Sequence, residues 1–179
     1  GFSRAAISPS FDVELGRLAD LIRSFKEQRQ SGILPELGDP FVRRLYSTYL
    51  SFLPADDLAY APKVRADARG SLVELIKAGD PGQVFISRTL PGITRGHHYH
   101  DSKVEKFVVL EGSAVVRLRN MATGDRVEYP VTGRDTRVID IPPGWTHAIE
   151  NTGSTEMIVL FWASEVFDAA RPDTYSAEV

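Results

Sequence analysis

The chain has 179 residues, a formal net charge of −3 at pH 7, 42% hydrophobic and 25% charged residues, and no cysteine. This composition fits one ordinary globular domain plus an appendage. It excludes a disulfide framework, thiolate metal sites and a cysteine nucleophile, and it offers no basic field for nucleic acid or anionic lipid, so neither partner is expected. The longest apolar run, Met157–Ala163, is seven residues, against the roughly 20 that a membrane span needs. With no basic and apolar leader at the amino terminus, a cytoplasmic location is expected. The chain opens on Gly1-Phe2-Ser3 without methionine and reads as a possible fragment.

In chain order, residues 1–60 read as a helical segment and linker. Leu15, Leu18, Leu21, Ile22 and Phe25 recur on one helix face, with Arg17, Arg23, Lys26 and Glu27 on the other. Ser10 or Asp12 supplies a start and Ser31-Gly32 a stop. Asp39-Pro40 reads as an N-cap followed by proline at the first helical position, opening a second helix that Pro54 ends. A boundary is expected near 55–62, with a β domain over 61–179. There the period changes to short β-branched and aromatic runs at 71–78, 83–90, 103–110, 114–120, 126–130, 136–141 and 155–163, separated by glycine-containing turns at 79–82, 111–112, 123–125 and 151–153. Short strands at near-regular spacing imply a sandwich, barrel or jelly roll. No G-x-G-x-x-G follows a strand, so no nicotinamide site is expected in this chain.

Three of the four histidines lie within 97–100. Strand alternation aims His98 and His100 at one point, and on the next strand Lys103, Glu105 and Phe107 share a face. The fourth histidine, His147, follows the turn Pro142-Pro143-Gly144, which can re-aim the chain into the barrel. Three imidazoles and a carboxylate suit Zn, Mn, Fe, Co or Ni, and ligand type alone does not choose among them.

These two segments match both motifs of the cupin superfamily. Gly92, His98, His100, Glu105 and Gly112 fit G-x5-H-x-H-x4-E-x6-G, and Pro142, Gly144, His147 and Asn151 fit P-x-G-x2-H-x3-N, with Thr136 in place of the second motif's upstream glycine. The resemblance implies a mainly β fold, a cupin jelly-roll barrel preceded by the short helical segment. Asp67-Ala68-Arg69-Gly70-Ser71-Leu72-Val73-Glu74 resembles the opening strand of cupins acting on nucleotide-linked keto sugars. Arg95-Gly96-His97-His98-Tyr99 resembles the core of the rhamnose-pathway epimerases, in which the arginine contacts the pyrophosphate and the histidine at the position of His98 is the base. His98 is also the first metal ligand here, so that base role does not transfer.

Over nearly its whole length the chain is similar to the carboxy-terminal half of the CapF family of capsular polysaccharide assembling proteins. The similarity is carried by 18–22, 24–26, 45–51, 103–107 and Pro172-Asp173-Thr174-Tyr175. It implies that 12–30 is the last helix of an absent short-chain reductase domain, that the metal is zinc, and that the protein is a homodimer. The implied activity is inversion at C3 of a UDP-linked 2-acetamido-4-keto-6-deoxyhexose, whose ketone an NADPH-dependent reductase domain then reduces, in surface polysaccharide precursor synthesis. Lys103 is expected to be an acid/base or enolate-stabilising residue rather than a solvated lysine. Arg95 first and Arg69 second are expected on the pyrophosphate, although Arg69 also lies within ion-pair reach of Asp67. The metal could polarise the ketone or only brace the barrel. His97 and Tyr99 are expected to face away, Tyr129, Trp145 and Trp162 to pack, and the Phe161-Trp162 strand end to serve a dimer surface. Two other readings fit the same residues: a non-catalytic metal-stabilised dimerisation or binding module, and a metal-dependent oxygenase or isomerase acting on a small non-nucleotide substrate. The latter leaves both arginine motifs unexplained.

Overall fold

The computed structural model describes residues 9–54, 57–58, 61–78 and 82–179. The chain divides into two compact units, Gly1–Tyr60 and Ala61–Val179. Parts of the expected linker and of the turn at 79–82 lie outside the described residues.

In the first unit, α1 spans Leu15–Ser31 and α2 spans Pro40–Ser51. The Asp39 carboxylate caps α2, accepting from the backbone N–H of Phe41 at 2.8 Å and of Val42 at 3.4 Å. These are two of the donors a helix start otherwise leaves unpaired. The N-cap of α1 is Glu14, which makes no side-chain cap bond, so neither Ser10 nor Asp12 fills that role. Gly32 closes the helix in the left-handed conformation, φ 74°. Phe25 is fully buried, with its ring centroid 5.0 Å from Tyr46 and 5.6 Å from Tyr49. Leu15 and Ile22, on the same apolar stripe, remain 80% and 41% exposed.

The second unit is a cupin jelly roll of two antiparallel sheets. Its strands are β1 (Val64–Asp67), β2 (Gly70–Ala78), β3 (Gly82–Thr89), β4 (Thr94–Tyr99), β5 (Glu105–Glu111), β6 (Ser113–Asn120), β7 (Arg126–Thr132), β8 (Val138–Ile141), β9 (Trp145–Asn151), β10 (Met157–Ala163) and β11 (Tyr175–Ser176). One sheet runs β1-β2-β3-β10-β5-β8 and the other β11-β4-β9-β6-β7. Alternation fills the space between them. Ala114, Val116 and Leu118 on β6, Phe107 and Val109 on β5, and Met157, Val159 and Phe161 on β10 are buried in one cluster. Phe161 stacks on Phe85 at 4.8 Å and is 7% exposed, so this aromatic is core and not the dimer surface expected for it. Trp145 and Tyr129 pack against the same cluster. The expected strands correspond to β2, β3, β5, β6, β7, β8 and β10. The edge strand β1 is exposed at all four positions, so it carries no alternation to read. Two-residue β11 exists only by pairing with β4.

Candidate metal centre

The barrel brings the four expected ligands together from both sheets. His98 on β4 and His147 on β9 are direct partners across neighbouring strands of one sheet, and Glu105 opens β5 in the other. A bulge makes this possible. The β4–β9 register shifts between Gly96 and His98, leaving His97 as the extra residue at φ 58°. Simple alternation puts Arg95 and His98 on opposite faces, whereas the bulge lets both line one cavity with Phe85, Phe107 and Ile149. Gly96 is required there. Its φ is 109°, and a Cβ would lie 2.5 Å from the His147 carbonyl oxygen and 2.8 Å from the Ala148 Cα. The Pro142–Gly144 turn is fastened to the first motif by a 2.8 Å bond from the Gly144 N–H to the His100 carbonyl.

One ligand atom from each of His98, His100, Glu105 and His147 lies within 4.8 Å of all the others. Glu105 Oε2 is 3.2 Å from His100 Nε2 and 3.3 Å from His147 Nε2. His100 Nδ1 lies 2.5 Å from the carbonyl oxygen of Asp173. A carbonyl only accepts, so Nδ1 carries the proton and Nε2 presents a lone pair to the cluster. Neither the His100 nor the His147 Nε2 has a hydrogen-bond partner, and both rings are buried. Lone pairs converging on a buried carboxylate repel one another unless a cation lies between them. The group therefore fits a divalent metal bound through nitrogen and oxygen.

The electrostatics agree with that reading. Burial, with the neighbouring His147 and His100, lowers the His98 pKa to about 4, so the imidazole is neutral and ligand-ready at pH 7. Burial alone would raise the Glu105 carboxyl, but positive charge and hydrogen bonding brought by His100 and His147 would outweigh it and hold Glu105 well below the usual carboxylate range, a role that a cation bound between them would fill.

Lys103 is 6% exposed, so it is not a solvated strand-start lysine. It precedes β5 and shares a cleft with His98, His100, Glu105 and Phe85. Its Nζ donates to the Pro172 carbonyl and to Thr174 Oγ1, each at 3.3 Å. Arg95 reaches the cavity wall on a support that sequence reasoning missed: its Nε donates to Thr89 Oγ1 at 2.9 Å, and Thr89 is fully buried beside Ser87. Burial and the neighbouring Arg69 lower the Arg95 pKa. Arg69 is exposed and engages the Asp67 carboxylate at 2.6 Å, so it stands in the ion pair considered for it, and Asp67 falls to about pKa 2 through hydrogen bonds from Arg69. Arg69, Asp67 and Arg95 nevertheless border one pocket. Tyr99 faces away and stacks on Tyr175 at 5.2 Å, and His97 stands 2.8 Å from the Glu178 carboxylate. Sequence reasoning also missed Asp173. Its carboxylate, held ionised against its burial by hydrogen bonds from the Asp101, Lys103 and Ser102 N–H groups, grips the loop between two ligands. The one signal for it was its place in the Pro172–Tyr175 resemblance.

The family described as the polysaccharide biosynthesis C-terminal domain matches residues 65–175. This chain belongs to it. Within this polysaccharide biosynthesis family, the chain is 42% identical over 173 residues to the UDP-2-acetamido-2,6-beta-L-arabino-hexul-4-ose reductase of Pseudomonas aeruginosa, covering 97% of this chain and 46% of that protein. The crystal structure of the capsular polysaccharide assembling protein CapF from Staphylococcus aureus superposes with a TM-score of 0.89 at 46% identity, covering 96% of this chain and 50% of that one. A probable low-salt glycan biosynthesis epimerase, Agl13 of Haloferax volcanii, is 28% identical over 127 residues, 62% of this chain and 79% of that protein. The chain thus spans about half the length of its reductase and CapF relatives. Among the described residues no helix is long and apolar enough to cross a membrane.

Proposed function

We propose that this domain is a metal-dependent epimerase of a UDP-linked 2-acetamido-4-keto-6-deoxyhexose, inverting C3 next to the ketone, and that it works with an NADPH-dependent reductase domain in surface polysaccharide precursor synthesis. The observation that carries the reading is the buried three-histidine, one-carboxylate cluster on the same cavity as a half-buried arginine. It occurs in a chain matching about half of a relative named for a UDP-linked hexul-4-ose.

His98, His100, Glu105 and His147 hold the metal, which we assign as zinc. Zinc held by these four residues would supply a Lewis acid toward a ketone oxygen and lower the cost of enolate charge. Arg95, fixed through its Nε to Thr89 and through Nη2 to the Arg88 carbonyl at 3.4 Å, keeps Nη1 and the second N–H of Nη2 for the pyrophosphate. Arg69 borders the same pocket and is the second contact, at the cost of sharing its charge with Asp67. Lys103 carries three N–H donors as an ammonium and spends two on Pro172 and Thr174. Inversion needs one group to take the C3 proton and another to return one on the opposite face, and the third N–H of Lys103 serves that return or the enolate oxygen. The apolar wall of Phe85, Phe107 and Ile149 limits water around the carbanion. The stripe of α1, exposed at Leu15 and Ile22, fits the role of a terminal reductase helix, and a homodimer, a cytoplasmic location and the domain division at residue 60 belong to the same reading.

The test is proton exchange. The purified chain, incubated in D2O with the UDP-linked 4-keto sugar, is expected to lose the C3 proton signal in its NMR spectrum, and Lys103→Ala is expected to slow that loss at least about 100-fold, the usual contribution of one acid/base group. Exchange undiminished in the variant would remove Lys103 from the chemistry. No exchange by the zinc-loaded wild type would leave a non-catalytic binding module.

A further inference from the structure

The last residues of the chain run back across the metal-binding end of the barrel. Ser176 pairs with His98, the Ala177 N–H donates to the His97 carbonyl at 2.9 Å, and Thr146 Oγ1 donates to the Ala177 carbonyl at 2.7 Å. Asp173 is the centre of this crossing. Its backbone carbonyl receives His100 Nδ1–H at 2.5 Å. Its Oδ1 accepts from the Asp101 N–H at 2.8 Å, and its Oδ2 from the Ser102 N–H at 3.1 Å, the Lys103 N–H at 2.8 Å and Ser102 Oγ at 3.0 Å. The residue sits at φ 37°, a left-handed conformation that aspartate and asparagine tolerate better than most.

Only residues 101–104 separate the ligands His100 and Glu105. The first three of their N–H groups go to Asp173, and that of Val104 goes to Ser164 Oγ at 3.1 Å. A four-residue loop whose N–H groups are all held by side chains is tied down at every residue, and it spans the two ligands. The same residue selects the tautomer of His100, because an N–H held on a carbonyl leaves Nε2 as the donor to a metal.

We infer that Asp173 is a positioning residue for the metal centre, fixing the tautomer and ring orientation of His100 through its carbonyl and the loop between His100 and Glu105 through its carboxylate. This rests on the metal-binding reading above, and it adds a residue that lies some seventy positions from the ligands it organises.

The experiment uses the full chain stripped of metal and titrated with Zn2+ against a chromogenic chelator, with Co2+ as a spectroscopic probe. Asp173→Ala is expected to weaken Zn2+ binding about 10–100-fold, the usual effect of removing an outer-shell partner, and to alter the visible Co2+ spectrum. Asp173→Asn keeps one acceptor oxygen and the left-handed preference, so it should fall between the two. Thermal melts should show a larger loss for the zinc-loaded form than for the metal-free form. Wild-type affinity and an unchanged Co2+ spectrum in Asp173→Ala, with both forms losing the same thermal stability, would reduce Asp173 to an ordinary structural contact and overturn the inference. If Asp173→Ala does not fold, Asp173→Asn is judged on the same three readouts. Failure of the wild type itself to bind Zn2+ or Co2+ would overturn the metal reading first, before any variant is made.

Discussion

At the scale of single residues, the site depends on positions that carry no chemistry of their own. Gly96 is the sharpest case. A Cβ at 2.5 Å from a backbone oxygen cannot be absorbed by a side-chain rotation, and φ 109° is a conformation that L residues avoid. Gly96→Ala is expected to cost about 1–3 kcal/mol from the backbone conformation alone, with the contact adding to it. Because Gly96 precedes the bulged His97, the same variant should lose metal affinity as well as stability. A urea denaturation curve and a Zn2+ titration on one preparation check both. Stability lost without any change in zinc affinity would show that the bulge does not set the geometry of His98. Among the ligands, Glu105 lies in phase with Phe107 and Val109 on β5, so its direction was readable from alternation. The inward direction of Arg95 was not readable, because a bulge is an irregularity of pairing and leaves no period in the sequence.

At the scale of elements, β3 acts as a platform for β4. Thr89, the last residue of β3, is fully buried and takes the Nε of Arg95, while its carbonyl accepts from Asn151 Nδ2 at 2.9 Å. The asparagine of the second cupin motif is therefore tied to the arginine through one threonine. Thr89→Val keeps the shape and removes the acceptor. It is expected to raise KM for the UDP-linked keto sugar roughly twofold to tenfold with kcat little changed, the loss of one hydrogen bond of about 0.5–1.5 kcal/mol, while Thr89→Ser restores the wild-type value. Steady-state kinetics of all three proteins decide it. A fall in kcat at constant KM would place Arg95 in the chemical step instead of in binding. The helices show the opposite balance. The cap at Asp39 and the stop at Gly32 were legible because each is a local hydrogen-bonding or dihedral requirement. The start of α1 was misplaced because Glu14 has no cap bond to betray it.

At the scale of the whole molecule, the buried cluster couples stability to pH. Folded His98 titrates near 4 against an ordinary value of 6.5, so between those values the unfolded chain binds more protons than the folded one. The stability that a neutral His98 contributes is therefore complete above about pH 6.5, declines as the pH falls through that window, and is gone below about 4. Glu105, also lowered, gives up its own contribution only below its ordinary 4.5, so the two losses are separable. Melting temperatures of the metal-free protein are expected to fall between pH 7 and pH 5, and His98→Asn should flatten that part of the curve. An unchanged slope in the variant would assign it to other groups. The sequence by itself determined the β periodicity, the two cupin motifs and the four ligand candidates, because ligand spacing and alternation are local properties that strand geometry converts directly into direction. Tertiary structure decided which arginine reaches the cavity, what supports it, and what fixes the loop between His100 and Glu105. Arg95 depends on a bulge and on Thr89, and His100 on Asp173, seventy-three positions away. Such contacts arise only when the barrel closes, and nothing in the local pattern of either segment encodes its partner.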